Sequence, residues 1–162
     1  MKRLMYLIIG LLVILIILVF TGRKSVHHEI NIDAKPASVW TVLSSLDQYQ
    51  DWNPVMLPLE GKLEEGSQIV YQFTQDAENI IKISAQVQSI SPQERLNQKG
   101  GLPLVISFDH EYLLSPQNGG TKVTIHEEYR GIYVNFWNPD PVEKAYQRLN
   151  EALKQRVESL NK

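Results

Sequence analysis

Residues 4–20 form an unbroken apolar run, from Leu4-Met5-Tyr6 to Leu18-Val19-Phe20, bracketed by Lys2-Arg3 and Arg23-Lys24. Few folded environments accept such a run. Extended through Thr21 and Gly22 as a helix, it would span roughly 28 Å at ~1.5 Å per residue, near the ~30 Å hydrocarbon core of a bilayer. The flanking basic pairs suit the two headgroup zones. A cleaved secretory signal is the competing reading. Its apolar core is usually ~7–15 residues and ends in an Ala-x-Ala-like site, which Val19-Phe20-Thr21-Gly22 does not resemble. Residues 1–24 are therefore expected to be a single-pass anchor that meets the lipid bilayer through residues 4–22. The amino terminus with Lys2 and Arg3 outweighs Arg23 and Lys24 by one charge at most, with Lys35 further on. That balance leans toward a cytoplasmic amino terminus and a domain on the non-cytoplasmic side.

Residues 25–162 have the size of one ordinary domain with a real core. Setting aside Lys2, Arg3, Arg23 and Lys24 leaves 12 of the 16 basic side chains against 18 acidic ones, a charge of about −6. This balance argues against nucleic acid as a partner, which favours a basic face with interleaved aromatics. It also argues against broad docking on anionic lipid beyond the Arg23-Lys24 collar. Cysteine is absent, which excludes disulfides, thiol nucleophiles and thiolate metal sites.

Ser25 to about His28 reads as a connection too short to be a flexible linker, placing the domain against the membrane. His28, Ile30 and Ile32 then alternate with Glu29, Asn31 and Asp33, the period of a half-buried strand. Pro36 opens a short helix with Val39, Trp40 and Leu43 on one face, and Asp47 can cap a second turn over 48–52. From there to about residue 130 the pattern is antiparallel sheet. Ile69, Tyr71 and Phe73 alternate with polar residues, as do Ile81, Ile83, Ala85 and Val87. A weaker strand near Arg95–Lys99 precedes Gly100-Gly101, read as a turn. Ile106, Phe108, His110, Tyr112 and Leu114 share one face of a long strand, and Asn118-Gly119-Gly120 suits a positive-φ turn. Val123, Ile125, Glu127 and Tyr129 share one face of the return. Asp140 as N-cap and Pro141 at the first helical position open a long helix, its apolar stripe Val142, Tyr146, Leu149, Leu153, Val157 and Leu160. A single long helix against one curved antiparallel sheet is an α+β layer arrangement.

Six pieces in this order carry a resemblance: Ile32-Asp33-Ala34-Lys35-Pro36 with Val39-Trp40; Tyr49-Gln50-Asp51-Trp52-Asn53-Pro54; His110-Glu111-Tyr112-Leu113-Leu114; Gly119-Gly120-Thr121; Glu127-Glu128-Tyr129-Arg130-Gly131; and Asn150-Glu151-Ala152-Leu153-Lys154 with Val157-Glu158. Together they resemble the START-like superfamily, also called SRPBCC or the polyketide cyclase/dehydrase and lipid transport group, across nearly all of residues 27–160. The resemblance implies a helix-grip fold, a sheet wrapped around the long helix with a cavity for an apolar small molecule. It implies no single chemistry, because the superfamily includes carriers, receptors, cyclases, oxygenase domains and chaperone co-factors.

The sharpest local pattern is His110 opposite Glu127, because each interrupts an apolar row facing the helix. If Leu114 pairs near Thr121 or Val123, the two are direct or diagonal cross-strand neighbours. Three roles are open: an acid–base pair acting on substrate, a polar anchor for a ligand head, or a buried pair that fixes strand register. The candidate ligand-binding residues are Tyr71, Phe73, Ile83, Val87, Phe108, Tyr112, Ile125, Tyr129, Tyr146 and Leu149. Trp52 and Trp137 are candidates for the cavity mouth, whereas Trp40 is expected in the core. Ile132-Tyr133-Val134 with Phe136-Trp137 forms an apolar loop, expected to be half-packed, with lipid contact or a lid as alternatives. His27 and His28 are adjacent and point to opposite faces of a strand, a poor chelate, so no metal is expected. No cofactor is expected either, for the chain lacks a GxSxG elbow, a phosphate loop, a GxGxxG fingerprint and an HExxH.

The function these features favour is membrane-anchored binding of a hydrophobic small molecule, of lipid, quinone or isoprenoid type, in a helix-grip cavity. The alternatives are a cyclase/dehydratase-type enzyme using His110 and Glu127 as acid and base, and a ligand-free protein-interaction module. No protein partner is identified.

Overall fold

The computed structural model describes residues 2–161. Helix α1 (Lys2–Thr21) is long and apolar enough to cross a membrane, and none of its residues is fully buried, with Leu18 and Val19 half-buried at its end. Gly22 alone separates it from β1 (Arg23–Ile32). A Cβ at Gly22 would lie 1.9 Å from the Gly131 carbonyl oxygen, so this corner requires glycine. The expected connection over residues 25–28 is therefore strand. Its cause is the pairing with β7 (Gly120–Arg130), which runs the full length of β1, from Arg23↔Arg130 to Ile32↔Thr121.

The remaining elements are α2 (Pro36–Ser44), β2 (Met56–Glu60), β3 (Gln68–Thr74), β4 (Ile80–Ser91), β5 (Arg95–Leu102), β6 (Ile106–Gln117) and α3 (Asp140–Leu160), with 3₁₀ turns at Leu46–Asp51 and Ile132–Asn135. The seven strands form one antiparallel sheet in the order β1-β7-β6-β5-β4-β3-β2. Sequence neighbours therefore pair throughout, except that β1 closes onto β7. The curved sheet grips α3, the α+β helix-grip arrangement. Alternation places Ile69, Tyr71, Ala85, Val87, Tyr112, Leu114, Val123 and Ile125 inward, where they meet Val142, Tyr146, Leu149, Leu153 and Val157 of α3. Val39 and Leu43 of α2 are fully buried in the same core, and Trp40 is half-buried against it.

Four local expectations differ. Asp47 lies inside the 3₁₀ turn and caps nothing. Pro139, at φ −79° and ψ −18°, is already helical, so the carbonyl of Pro139 accepts the first helical amides and Asp140 becomes the first helical residue. Leu160 is 59% exposed, because the sheet no longer covers the last turn of α3. Gly100-Gly101 does not turn the chain. Both continue β5, opposite Phe108 and Ser107, and the reversal comes at Pro103–Val105.

Candidate ligand-binding site

The sheet splits at one end. The β4–β5 ladder begins at Ala85↔Gly100, so Ile80–Ser84 pair only with β3, while Gly101 and Leu102 pair only with β6. Ile81 and Ile83 on one side of the split and Gly101 on the other line a cavity of about 190 Å³. Phe73, Ile106, Phe108 and Trp137 supply most of the remaining apolar wall, with Val142 at the start of α3. Gly100 matters here for its lack of a side chain. A Cβ would sit 2.5 Å from the Phe108 ring and 2.2 Å from the Ser84 carbonyl oxygen, so glycine lets Phe108 lie across β5.

One polar cluster interrupts this wall. Glu127 is 3% exposed, and its Oε2 accepts hydrogen bonds from the hydroxyls of Tyr129 and Tyr146, the latter at 2.5 Å. Burial, reinforced by the charge of Glu127, pushes both phenols well above their usual range, so they remain donors. Charge-assisted hydrogen bonds of this kind offset part of the cost of burying a carboxylate. Trp137 stacks at a tilt on Tyr129, with ring centroids 4.5 Å apart, and Phe73 meets Tyr146 edge-on at 6.1 Å. The Lys24 ammonium donates to the Trp137 carbonyl, tying this segment to β1.

His110 pairs directly with Glu127 across β6 and β7, and Leu114 with Val123. Its Nδ1 lies 3.6 Å from Glu127 Oε1, outside hydrogen-bond range. The imidazole sits between the Tyr112 and Tyr146 rings, at centroid distances of 4.7 and 5.2 Å. It is buried behind Glu127 and does not line the cavity.

Seven of the residues singled out in the sequence therefore meet at the cavity: Phe73, Ile83, Phe108, Glu127, Tyr129, Tyr146 and Trp137. Tyr71, Val87, Tyr112, Ile125 and Leu149 point inward but are buried in the packed core beyond it. The Tyr71 hydroxyl accepts from Gln98 Nε2 at 2.8 Å, and burial, opposed by that bond, pushes its phenol up to about 12. Trp52 is elsewhere, edge-on against Tyr49 at 4.9 Å. Gln75, Ile81, Gly101, Ile106 and Val142 also line the cavity. Ile81, Ile106 and Val142 carried the inward periodicity of their elements, so register was their only signal, and Gln75 had none.

The family model described as polyketide cyclase / dehydrase and lipid transport matches residues 23–158. No curated protein matches. Solved structures match over most of the chain. Protein CV1439 from Chromobacterium violaceum shares 16% identity with a TM-score of 0.69, over 83% of this chain and 98% of its own. TTHA0849 from Thermus thermophilus shares 15% identity with a TM-score of 0.69, over 86% of this chain and 100% of its own. A point mutant of norcoclaurine synthase from Thalictrum flavum, in complex with a transition state analogue, shares 14% identity with a TM-score of 0.63, over 86% of this chain and 97% of its own. These likenesses carry the fold. With the family model running from the first residue of β1 into the last turns of α3, the chain belongs to the polyketide cyclase/dehydrase and lipid transport family.

Proposed function

We propose that this chain is a membrane-tethered binding protein whose cavity takes the oxygen-bearing end of a hydrophobic molecule of lipid, quinol or isoprenoid-alcohol type. Residues 1–24 serve as the anchor and residues 25–162 as the binding domain. The observation that carries the reading is Glu127, with Tyr129 and Tyr146, standing as a hydrogen-bonded polar cluster in a cavity wall that is otherwise apolar but for Gln75. Ligand sites have this composition, an apolar surface with a few placed polar groups. Both phenol hydrogens are committed to Glu127 Oε2. The valences left for a ligand are therefore acceptors, chiefly the oxygens of the two phenols, because Glu127 Oε1 is turned to His110 Nδ1 at 3.6 Å. They favour a head that donates, such as a hydroxyl, over one that only accepts.

Size narrows the fit. An apolar cavity of about 150 Å³ holds benzene, so 190 Å³ holds one substituted ring or a short length of chain. The rest of a longer molecule leaves through the split between β4 and β5. The norcoclaurine synthase relative shows a small molecule on this fold. Proton transfer through His110 has less support, because that ring reaches the cavity only through Glu127.

The test is native mass spectrometry of the full chain released from cells in mild detergent, followed by extraction of what travels with it. A defined hydrophobic alcohol or phenol, lost at least tenfold in E127Q, is the expected result. A bare mass that persists after incubation with a membrane lipid extract overturns the proposal.

A further inference from the structure

The split end of the sheet carries an exposed apolar rim. Leu102 and Leu104 form the β5–β6 tip, Tyr133 and Phe136 the turn after β7, and Ile81 the start of β4; Leu104 is 66% exposed and Phe136 74%. Single exposed apolar residues are ordinary, but several on the segments that also supply the cavity-lining Ile81, Gly101, Ile106 and Trp137 are not. The first two of these segments are tied together. The Leu104 carbonyl accepts from the Ile132 amide at 2.9 Å, and the Val105 carbonyl from the Tyr133 amide at 3.0 Å. Leu104 also holds φ at +66°, a left-handed conformation that leucine resists, although its side chain is mostly exposed.

The same turn is clasped to α1. Asn135 Nδ2 donates to the Leu18 carbonyl at 2.8 Å, Thr21 Oγ1 donates to Asn135 Oδ1 at 3.0 Å, and the Gly131 amide donates to the Gly22 carbonyl at 3.0 Å. Leu18 lies within the apolar run, about 6 Å along the helix axis from Gly22 at ~1.5 Å per residue. A turn bonded at that level stands beside the membrane-crossing part of α1, at the depth where interfacial segments bury their apolar face.

We propose that this rim is a second membrane contact, seated in the same bilayer as α1, so that the cavity mouth opens onto lipid and the ligand enters from the bilayer without crossing water. The inference rests on the anchored-binding reading above. It commits to lipid as the occupant because α1 and the rim are joined through Asn135 and point one face of the domain at one surface.

The absence of cysteine allows single-cysteine reporters in the full chain. Cysteine is placed at Ile14, Leu104, Phe136 or, as a control on the β6–β7 turn at the other end of the sheet, Gln117. Each is labelled with an environment-sensitive fluorophore in 3:1 phosphatidylcholine/phosphatidylglycerol vesicles containing nitroxide-labelled acyl chains. Quenching at 104 and 136 is expected to approach that at 14 and to exceed that at 117 by several-fold. L102E/Y133E should return 104 and 136 to the level of 117 while 14 stays quenched. Reporters at 104 and 136 no more quenched than 117 overturn the rim, and if the same preparation still holds an extractable ligand, the binding reading stands without it. Quenched rim reporters with no ligand on extraction leave the rim and remove the binding reading. An unquenched reporter at 14 overturns both.

Discussion

Tyr146 on α3 donates its hydroxyl to Oε2 of Glu127 on β7 at 2.5 Å, and so joins the gripped helix to the sheet through a buried charge. Tyr129, two residues along the same strand, donates to the same oxygen. One carboxylate thus orients two phenols that meet the cavity, while its second oxygen lies 3.6 Å from His110 Nδ1.

Removing one donor should be tolerated and removing both should not. Y146F is expected to cost about 1.5–3 kcal/mol, as for a hydrogen bond to a charged group. Y129F should cost a similar amount. The double variant should lose more than the two added together, because the carboxylate then has no donor left. Urea denaturation of the full chain in mild detergent measures all three, and strictly additive losses would show that the phenols do not share Glu127 as a partner.

The phenol oxygens, as free acceptors, make a prediction about small probes. 4-Propylphenol should bind the full chain at least tenfold more tightly than its methyl ether, which has the same ring and no donor hydrogen. E127Q should erase most of that difference. Calorimetry with the two compounds decides it, and equal affinities would mean that the cluster around Glu127 does not read the ligand head.

The sheet, the Asn118-Gly119 hairpin and the inward row of β6 and β7 were legible because period-2 alternation carries register, whereas Gly100-Gly101 has the composition of a turn but continues β5. His110 opposite Glu127 followed from one turn, Asn118-Gly119, with φ of +51° and +85°. The cavity boundary was not legible. Phe73 and Tyr71 sit on the same face of β3, yet one lines the cavity and the other is sealed against Gln98. What separates them is where β4 parts from β5, and pairing length leaves no periodic trace. Trp52 misled for a related reason: an aromatic before Asn-Pro reads as a loop at the rim, whereas here it packs on Tyr49. The aspartates at 47 and 140 show how weak a cap signal is when a neighbouring residue, such as Pro139, already holds helical dihedrals.

His28 gives the fold a dependence on pH. Burial lowers its imidazole below the ordinary 6.5, against the opposing pull of Glu151 and Glu143 and with a small contribution from His27. Its Nδ1 faces Asn150 Nδ2 at 3.0 Å. Below about pH 6.5 the unfolded chain takes up a proton that the folded chain binds less readily, so this contribution to stability is intact above that pH and declines as pH falls. H28Q keeps a polar partner for Asn150 but cannot titrate. The difference in stability between wild type and H28Q should therefore change between pH 7.5 and pH 5.5, with wild type losing more. A constant difference across that range would exclude His28 as the source.

Gly100 separates packing from turn-forming as the reason for a glycine. If it served a turn, alanine would be mild, since its φ lies outside the left-handed region that Gly101 occupies at +92°. The structure instead puts an alanine Cβ 2.2 Å from the Ser84 carbonyl oxygen and 2.5 Å from the Phe108 ring. G100A should therefore cost about 1–3 kcal/mol, the usual range for overpacking. It should also weaken 4-propylphenol binding, because the displaced Phe108 ring is a wall of the cavity. F108A frees the ring contact at its own cavity cost of about 3–5 kcal/mol but leaves the Ser84 backbone in place, so the cost of G100A, measured against F108A, should be recovered only in part. Full recovery would assign the whole conflict to Phe108, and a neutral G100A would mean that β4 and β5 can part further than they do here, widening the split through which the ligand is proposed to extend.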